Sequence, residues 1–171
     1  MEYTELIKKR KSIRKYDLAK PVSEELLNKV LDAARIAPSA CNNQPWHFIV
    51  MRDEKVKKEM KAVYDKEWFY TAPVIIVGCV DTAASWKRSF DNYDSSLIDI
   101  SIAFDHLILA ATNEGLGTCW IAAFNPVPAE KILKTPSNIK IAIMTPLGFP
   151  AGDPVARPRK ELSEIIHYDK Y

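Results

Sequence analysis

The sequence has little of what the most readily recognised sites are built from. Cysteine occurs three times in 171 residues, at Cys41, Cys79 and Cys119, with no C-x-x-C pair. That argues against a disulfide framework and a thioredoxin-like centre, and leaves free thiols as the expectation. Histidine is equally sparse, and His47, His106 and His167 never share the i, i+4 spacing of a helical zinc pair, so no metal site is expected. There are five glycines; Gly115 and Gly117 are followed by Trp120 where the third glycine of G-x-G-x-x-G would fall, and no P-loop lysine motif exists. A dinucleotide held on a Rossmann turn is thereby disfavoured. No serine has the G-x-S-x-G context of a hydrolase nucleophile. The net charge is only +2 with 27% charged residues, which gives no overall pull toward nucleic acid or an anionic membrane. The opening MEYTELIKKRKSIRKY has no apolar core of a secretory signal, and the apolar runs elsewhere read as too short to span a bilayer. The expectation is a cytoplasmic protein that binds neither membrane nor nucleic acid.

What is present suits one domain, residues 1–171, with a hydrophobic fraction of 47%. Tyr3, Leu6 and Ile7 predict a short first helix ending between Lys9 and Ser12. Ser23 is a candidate N-cap, with Glu24 and Glu25 in the first turn and an apolar stripe of Leu27, Val30, Leu31 and Ala34 running up to Pro38. His47 to Met51 and Val74 to Val80 read as strands of one sheet, the second with the unbroken apolar run of a buried central strand. Between them, Asp53 to Lys66 reads as helical. Leu97, Ile100, Phe104, Leu107, Ile108 and Ala111 predict a core helix over Ser96 to Glu114, closed by Gly115. Thr118 to Ala122 is expected as a strand, Val127 to Leu133 as a helix, and Ile139 to Phe149 as a strand interrupted by Pro146.

Two stretches carry chemistry. Lys8 to Lys15 places six basic residues in eight positions, broken only by Ser12 and Ile13. A solvated helix end, a nucleic-acid patch and a small phosphate site all fit such a run. The phosphate site needs only two or three arginine forks and a hydroxyl, which Arg10, Ser12 and Arg14 supply, and the late Arg157 and Arg159 could converge on the same group. The second stretch, Pro38-Ser39-Ala40-Cys41-Asn42-Asn43-Gln44-Pro45-Trp46, is rich in amides. Asn42 and Gln44 could read a heterocycle that alternates carbonyls and ring nitrogens, or could cap the loop's own backbone. Cys41 has no neighbour in sequence that would lower its pKa, and Trp46 and Trp120 read as packing residues.

Four segments in this order resemble the short FMN-dependent nitroreductases: Arg10-Lys11-Ser12-Ile13-Arg14, Ala37 through Phe48, Gly115-Leu116-Gly117-Thr118-Cys119-Trp120-Ile121, and Arg157-Pro158-Arg159-Lys160 with the Ile-Ile-His that follows. The resemblance spans almost the whole chain. It implies an α+β fold, a three-layer α/β/α sandwich around a mostly antiparallel sheet, in an intertwined homodimer whose tails, residues 157–171, cross onto the partner. Two FMN molecules would lie at the interface. By this resemblance Arg10 and Ser12 hold the phosphate and ribityl end with Arg157 and Arg159, Lys11 is a further cofactor-binding residue, and Arg14 approaches the pyrimidine end as an electrostatic stabiliser. Ser39 and Asn42 reach the flavin from the other subunit, Pro38 and Ala40 line its pocket, and Trp120, Ile121, Ala122 and Ala123 pass along the ring through main-chain atoms. The family often has an acidic residue followed by glycine in this last stretch, where Ile121-Ala122-Ala123 stands here. The implied activity is ping-pong electron transfer from NADH or NADPH to a small aromatic or quinone-like acceptor such as a nitro compound, with no covalent catalyst in the protein. A specialised flavin enzyme on the same scaffold, such as a dehalogenase or an enone or aldehyde reductase, is the first alternative. A basic nucleic-acid or anion-binding module without catalysis is the second.

Overall fold

A computed structural model describes residues 1–152, 154–155 and 157–171. The central strand β2 (Val74–Asp81) has no polar side chain before its last residue, and it lies between two layers of helix, buried on both faces. β1 (Trp46–Met51) pairs with it on one side and β4 (Ile139–Gly148) on the other, and β3 (Gly117–Thr118) closes the order β1-β2-β4-β3, every pair antiparallel. On one face, α2 (Glu24–Arg35) and α5 (Ser96–Asn113) cover Val74, Ile76, Val80 and Ile143. On the other, Met60, Val63, Phe69 and Ala129 cover Ile75, Val77 and Met144; they come from the segment α3 (Glu54–Glu59) to α4 (Glu67–Tyr70) and from α6 (Pro126–Leu133). The result is the expected three-layer α+β sandwich. At Gly78 the helix α5 and strand β4 come too close for a side chain: a Cβ there would stand 2.7 Å from Ile143 and 3.2 Å from the Phe104 ring.

Most helix ends obey local rules. Ser23 accepts from the Leu26 amide at the start of α2, Asp53 accepts from Lys55 and Val56 ahead of α3, and Gly115 leaves α5 with φ 76°. Four expectations need correction. The helix over Asp53 to Lys66 stops at Glu59 and tightens into a single turn over Met60–Ala62, because the fully buried Lys57 is drawn inward. Its Nζ donates to the carbonyls of Ala72 (2.7 Å) and Pro73 (3.3 Å) and pairs with Glu54 (2.6 Å). β4 is not broken by Pro146 but runs through it. The register sets Cys119 opposite Pro146, so the missing proline N–H falls where β3 has already ended, and the Cys119 amide donates to Thr145 Oγ1 at 3.0 Å instead. For the same reason the strand expected over Thr118 to Ala122 shrinks to two residues and an isolated bridge from Ile121 to Met144. On α5, Leu97 is 61% exposed whereas Asp99 is 2% exposed: the helix is apolar nearly all round, and its phase at the N-terminal turn is set by the carboxylate's partners.

The 18-residue α5 is long and apolar enough to cross a membrane by length and composition, a correction to the reading that every apolar run is too short. It is the helix that fills the core under β2, and half of the span is buried there. Residues 157–171 are exposed throughout and include Leu162, Ile165 and Ile166.

Candidate functional site

The basic segment is held in an extended conformation after α1 (Tyr3–Lys9). Arg10 leaves helical geometry with ψ 121°, Ser12 bridges Thr118 in parallel, and the Ile13 amide donates to the Thr118 carbonyl at 2.8 Å. Further along, the Asp17 amide donates to Phe149 and the Ala151 amide to Lys15, at 2.9 and 3.0 Å. The segment thus behaves as an extra strand against β3 and the exit of β4. In an extended chain alternate side chains share a face, which groups Arg10, Ser12 and Arg14 and turns Ile13 into the core. Gly117 permits this approach: a Cβ there would stand 2.7–2.8 Å from Ile13. Behind the segment, the buried Tyr16 hydroxyl donates to the Ile13 carbonyl at 2.7 Å, and burial pushes its pKa upward.

Because the exit of β4 pairs with residues 15–17, the tail departs beside the basic segment. Arg10, Lys11, Ser12, Arg14, Arg157 and Arg159 consequently line one cavity of about 540 Å³. The convergence of both arginine clusters is therefore a property of the fold. The Arg14 guanidinium lies 5.8 Å from the centre of the Trp68 ring, within cation–π reach. Cys119 sits beneath, 3% exposed; burial raises its pKa, while Arg14, a hydrogen bond from Ser12 and Arg10 act in the opposite direction. Cys119 reads from sequence only as a free thiol, and the fold alone brings it under the basic run.

The amide loop is elsewhere and tightly wound. Cys41, Asn42 and Gln44 all have φ near +50° (50°, 55° and 48°), a region that asparagine tolerates better than most residues. Gln44 caps the loop itself, its side chain donating to the Asn42 carbonyl (3.1 Å) and its amide to Ser39 Oγ (2.9 Å), while Asn43 reaches the Ala84 carbonyl (3.1 Å). Backbone capping therefore accounts for Gln44. The Asn42 side chain is exposed and makes no hydrogen bond among the described residues. Pro38, Ser39 and Ala40 line a second cavity of about 390 Å³, whose opposite wall is a small hairpin over residues 86–95 that supplies Trp86, Arg88 and Tyr93. Asp99 ties the two walls together: its oxygens accept from the Ala40 amide (2.9 Å) and the Ser95 hydroxyl (2.7 Å). The sequence carries little signal for Asp99: α5 has a second carboxylate, Asp105, which is exposed, and only the fold tells the two apart.

The two cavities share no lining residue, so a single chain does not join the arginines to the amide loop. Of the third group, Ile121 is buried and exchanges both main-chain hydrogen bonds with Met144 (2.9 and 3.0 Å). Trp120 is 41% exposed with its ring edge-on to Phe104, and Ala122 and Ala123 are exposed.

Comparison with known proteins agrees with this architecture. The sequence profile of the Nitroreductase family matches residues 7–67 and 58–149. A Methanothermobacter thermautotrophicus protein provisionally named an NADH dehydrogenase/NAD(P)H nitroreductase is 34% identical, over 100% of this chain and 88% of its own length. The iodotyrosine deiodinase of Thermotoga neapolitana is 28% identical, over 98% of this chain and 97% of its own. Among solved structures, a nitroreductase family protein from Clostridium difficile 630 superposes with a TM-score of 0.93 at 35% identity, covering 100% of both chains. An FMN-dependent nitroreductase from Clostridium difficile R20291 gives 0.82 at 28% identity, covering 97% of this chain and 98% of its own. By sequence profile, whole-length relatives and fold, the chain belongs to the nitroreductase family of oxidoreductases.

Proposed function

We propose that the protein is an FMN-dependent oxidoreductase that passes electrons from NADH or NADPH to a small aromatic or quinone-like acceptor, acting as a homodimer with its flavin at the interface. The observation that carries the reading is the single cavity in which Arg10, Ser12 and Arg14 meet Arg157 and Arg159 from the other end of the chain. The donor set fits a flavin phosphate: guanidinium forks match phosphate oxygens in pairs, a hydroxyl adds a further donor, and no carboxylate lines the cavity among the described residues. Arg10, Lys11, Ser12, Arg157 and Arg159 would hold the phosphate end. Arg14, fixed over Trp68, would place a permanent positive charge near the electron-rich ring and lower the cost of charging it. Bound FMN would supply the redox chemistry, with the nicotinamide donor and the acceptor using the same space in turn. The FMN named for one structural relative and the NAD(P)H named for a sequence relative support these assignments.

The separation of the cavities supports the dimer that the resemblance implies. Pro38, Ser39, Ala40 and Asn42 would complete the flavin site of the partner, and Trp120 to Ala123 would pass along the ring. The exposed apolar residues Leu162, Ile165 and Ile166 of the tail and Leu97 and Ile98 of α5 are the surface such an assembly would cover. Purified protein should be yellow and bleach anaerobically on addition of NADH or NADPH. A colourless protein that neither takes up added FMN nor is reduced would overturn the proposal. A halogenated phenol as acceptor is the second reading, favoured by the deiodinase relative. Rates of flavin reoxidation across nitroaromatics, quinones, enones and halogenated phenols separate the two.

A further inference from the structure

The second cavity has a chemistry of its own. Its walls are apolar and aromatic: Trp86 and Tyr93 on the hairpin face Ile98 and Ile102 on α5, across from the loop of Pro38 to Ala40. Two of its lining side chains are an acid and a base, Asp99 and Arg88, and they are unequal. Asp99 is buried with both oxygens engaged, by Ala40 and Ser95, and has nothing to offer a ligand. Arg88 is available in part. Asp91 accepts from its Nε (2.9 Å) and Nη2 (2.6 Å), and its guanidinium carbon stands 4.9 Å from the centre of the Tyr93 ring, while Nη1 makes no hydrogen bond among the described residues. The side chain is therefore oriented before any ligand arrives, so little conformational entropy remains to be lost on binding. The Asp91 pair is about half exposed, at 47% and 52%, and such pairs are weak enough to be shared with an incoming anion.

We infer that this cavity is the acceptor pocket and that it selects planar aromatic acceptors bearing an anionic group, read by Arg88. The inference rests on the flavoprotein reading, because only a flavin beside Ser39 and Ala40 makes the cavity an acceptor site. Trp86 and Tyr93 supply the faces for the ring, and Arg88 Nη1 donates to the anion.

The test is equilibrium binding to the protein as purified, by titration calorimetry at neutral pH, with 4-nitrobenzoate and 4-nitrobenzyl alcohol as the anionic and neutral probes. The expected result is about tenfold tighter binding of the benzoate, the size of one charge-assisted hydrogen bond in partly solvated surroundings. In Arg88→Gln that ratio should fall to near one. Should Arg88→Gln fail to fold, Asp91→Asn decides the matter: without the competing carboxylate the ratio should rise. Equal binding of the two probes to the unaltered protein, or a ratio unmoved by Arg88→Gln, or one that falls in Asp91→Asn, would overturn the inference. FMN content measured on the same samples keeps the two readings apart. Protein that holds no flavin and takes up no added FMN contradicts the proposed function, whereas absence of probe discrimination in flavin-loaded protein contradicts only the acceptor class.

Discussion

The two cavities are built by opposite means. The arginine cavity is anchored by main chain: residues 12–17 are bonded to β3 and to the exit of β4, and Ile13 and Tyr16 pin the segment from below. The cavity under the hairpin is held chiefly by side chains, with Asp99 joining Ala40 to Ser95, Ser85 donating to Asp94, and Asp91 holding Arg88. Backbone anchoring suits a site that must keep one ligand permanently, since strand register changes only at a high cost. Side-chain anchoring suits a site whose ligand can vary, because its contacts can be replaced one at a time without disturbing the sheet.

The largest break in this comparison should come from Gly117→Val. Branched carbons placed where Ile13 already stands would lift the basic segment off β3. Overpacking of this kind costs about 1–3 kcal/mol. Urea denaturation should show that loss, and FMN retention should fall by about a hundredfold or more as the arginines lose their register. Asp99→Ala should act on the other cavity: it leaves the Ala40 amide without its buried acceptor, a loss of about 1–3 kcal/mol in the same assay. Its effect on FMN retention should be smaller than that of Gly117→Val, and its effect on acceptor KM larger. A reversal of that order would show that the cavities are not separately anchored.

A gentler contrast lies in pH. Burial raises the Tyr16 hydroxyl above its ordinary 10.0, so its contribution is complete below that pH and is lost as pH rises further and the unfolded chain ionises first. Asp91 is held below its ordinary 3.8 by its hydrogen bonds from Arg88 and the Tyr93 amide, so its contribution is complete above that value and is lost as pH falls. Tryptophan and flavin fluorescence followed across pH should register alkaline loss first at the arginine cavity and acid loss first at the hairpin. In Tyr16→Phe the alkaline edge should move to higher pH.

Much of the first region was legible in sequence because it rests on patterns that sequence displays. The run from Lys8 to Lys15, its alternation of Arg10, Ser12 and Arg14, and the glycine at 117 are all local, and only the meeting with Arg157 and Arg159 required the fold. The hairpin was harder to read. Residues 86–95 show no hydrophobic alternation, and the turn rests on Asn92 at φ 58° and on Asp91 accepting from the Tyr93 amide, signals that any loop can carry. Asp99 was hidden for a related reason: a carboxylate on a helix reads as solvent-facing until its partners at Ala40 and Ser95 are known. Pro146 misled in the other direction, since a proline inside a strand is harmless once the neighbouring strand has ended.

The proposed flavin site stands on the joint hold of one phosphate by sequence-distant arginines. It is tested most directly by titrating FMN and riboflavin, which differ only in that phosphate, into flavin-stripped wild-type protein, Arg10→Ala, Arg157→Ala and the control Lys8→Ala, whose exposed side chain lies outside the cavity. FMN affinity should fall by about ten- to a hundredfold in either arginine variant, riboflavin affinity should stay where it was, and Lys8→Ala should change neither. Equal losses for all three variants, or equal losses for FMN and riboflavin, would contradict a built phosphate site and reduce the segment to a diffuse basic surface.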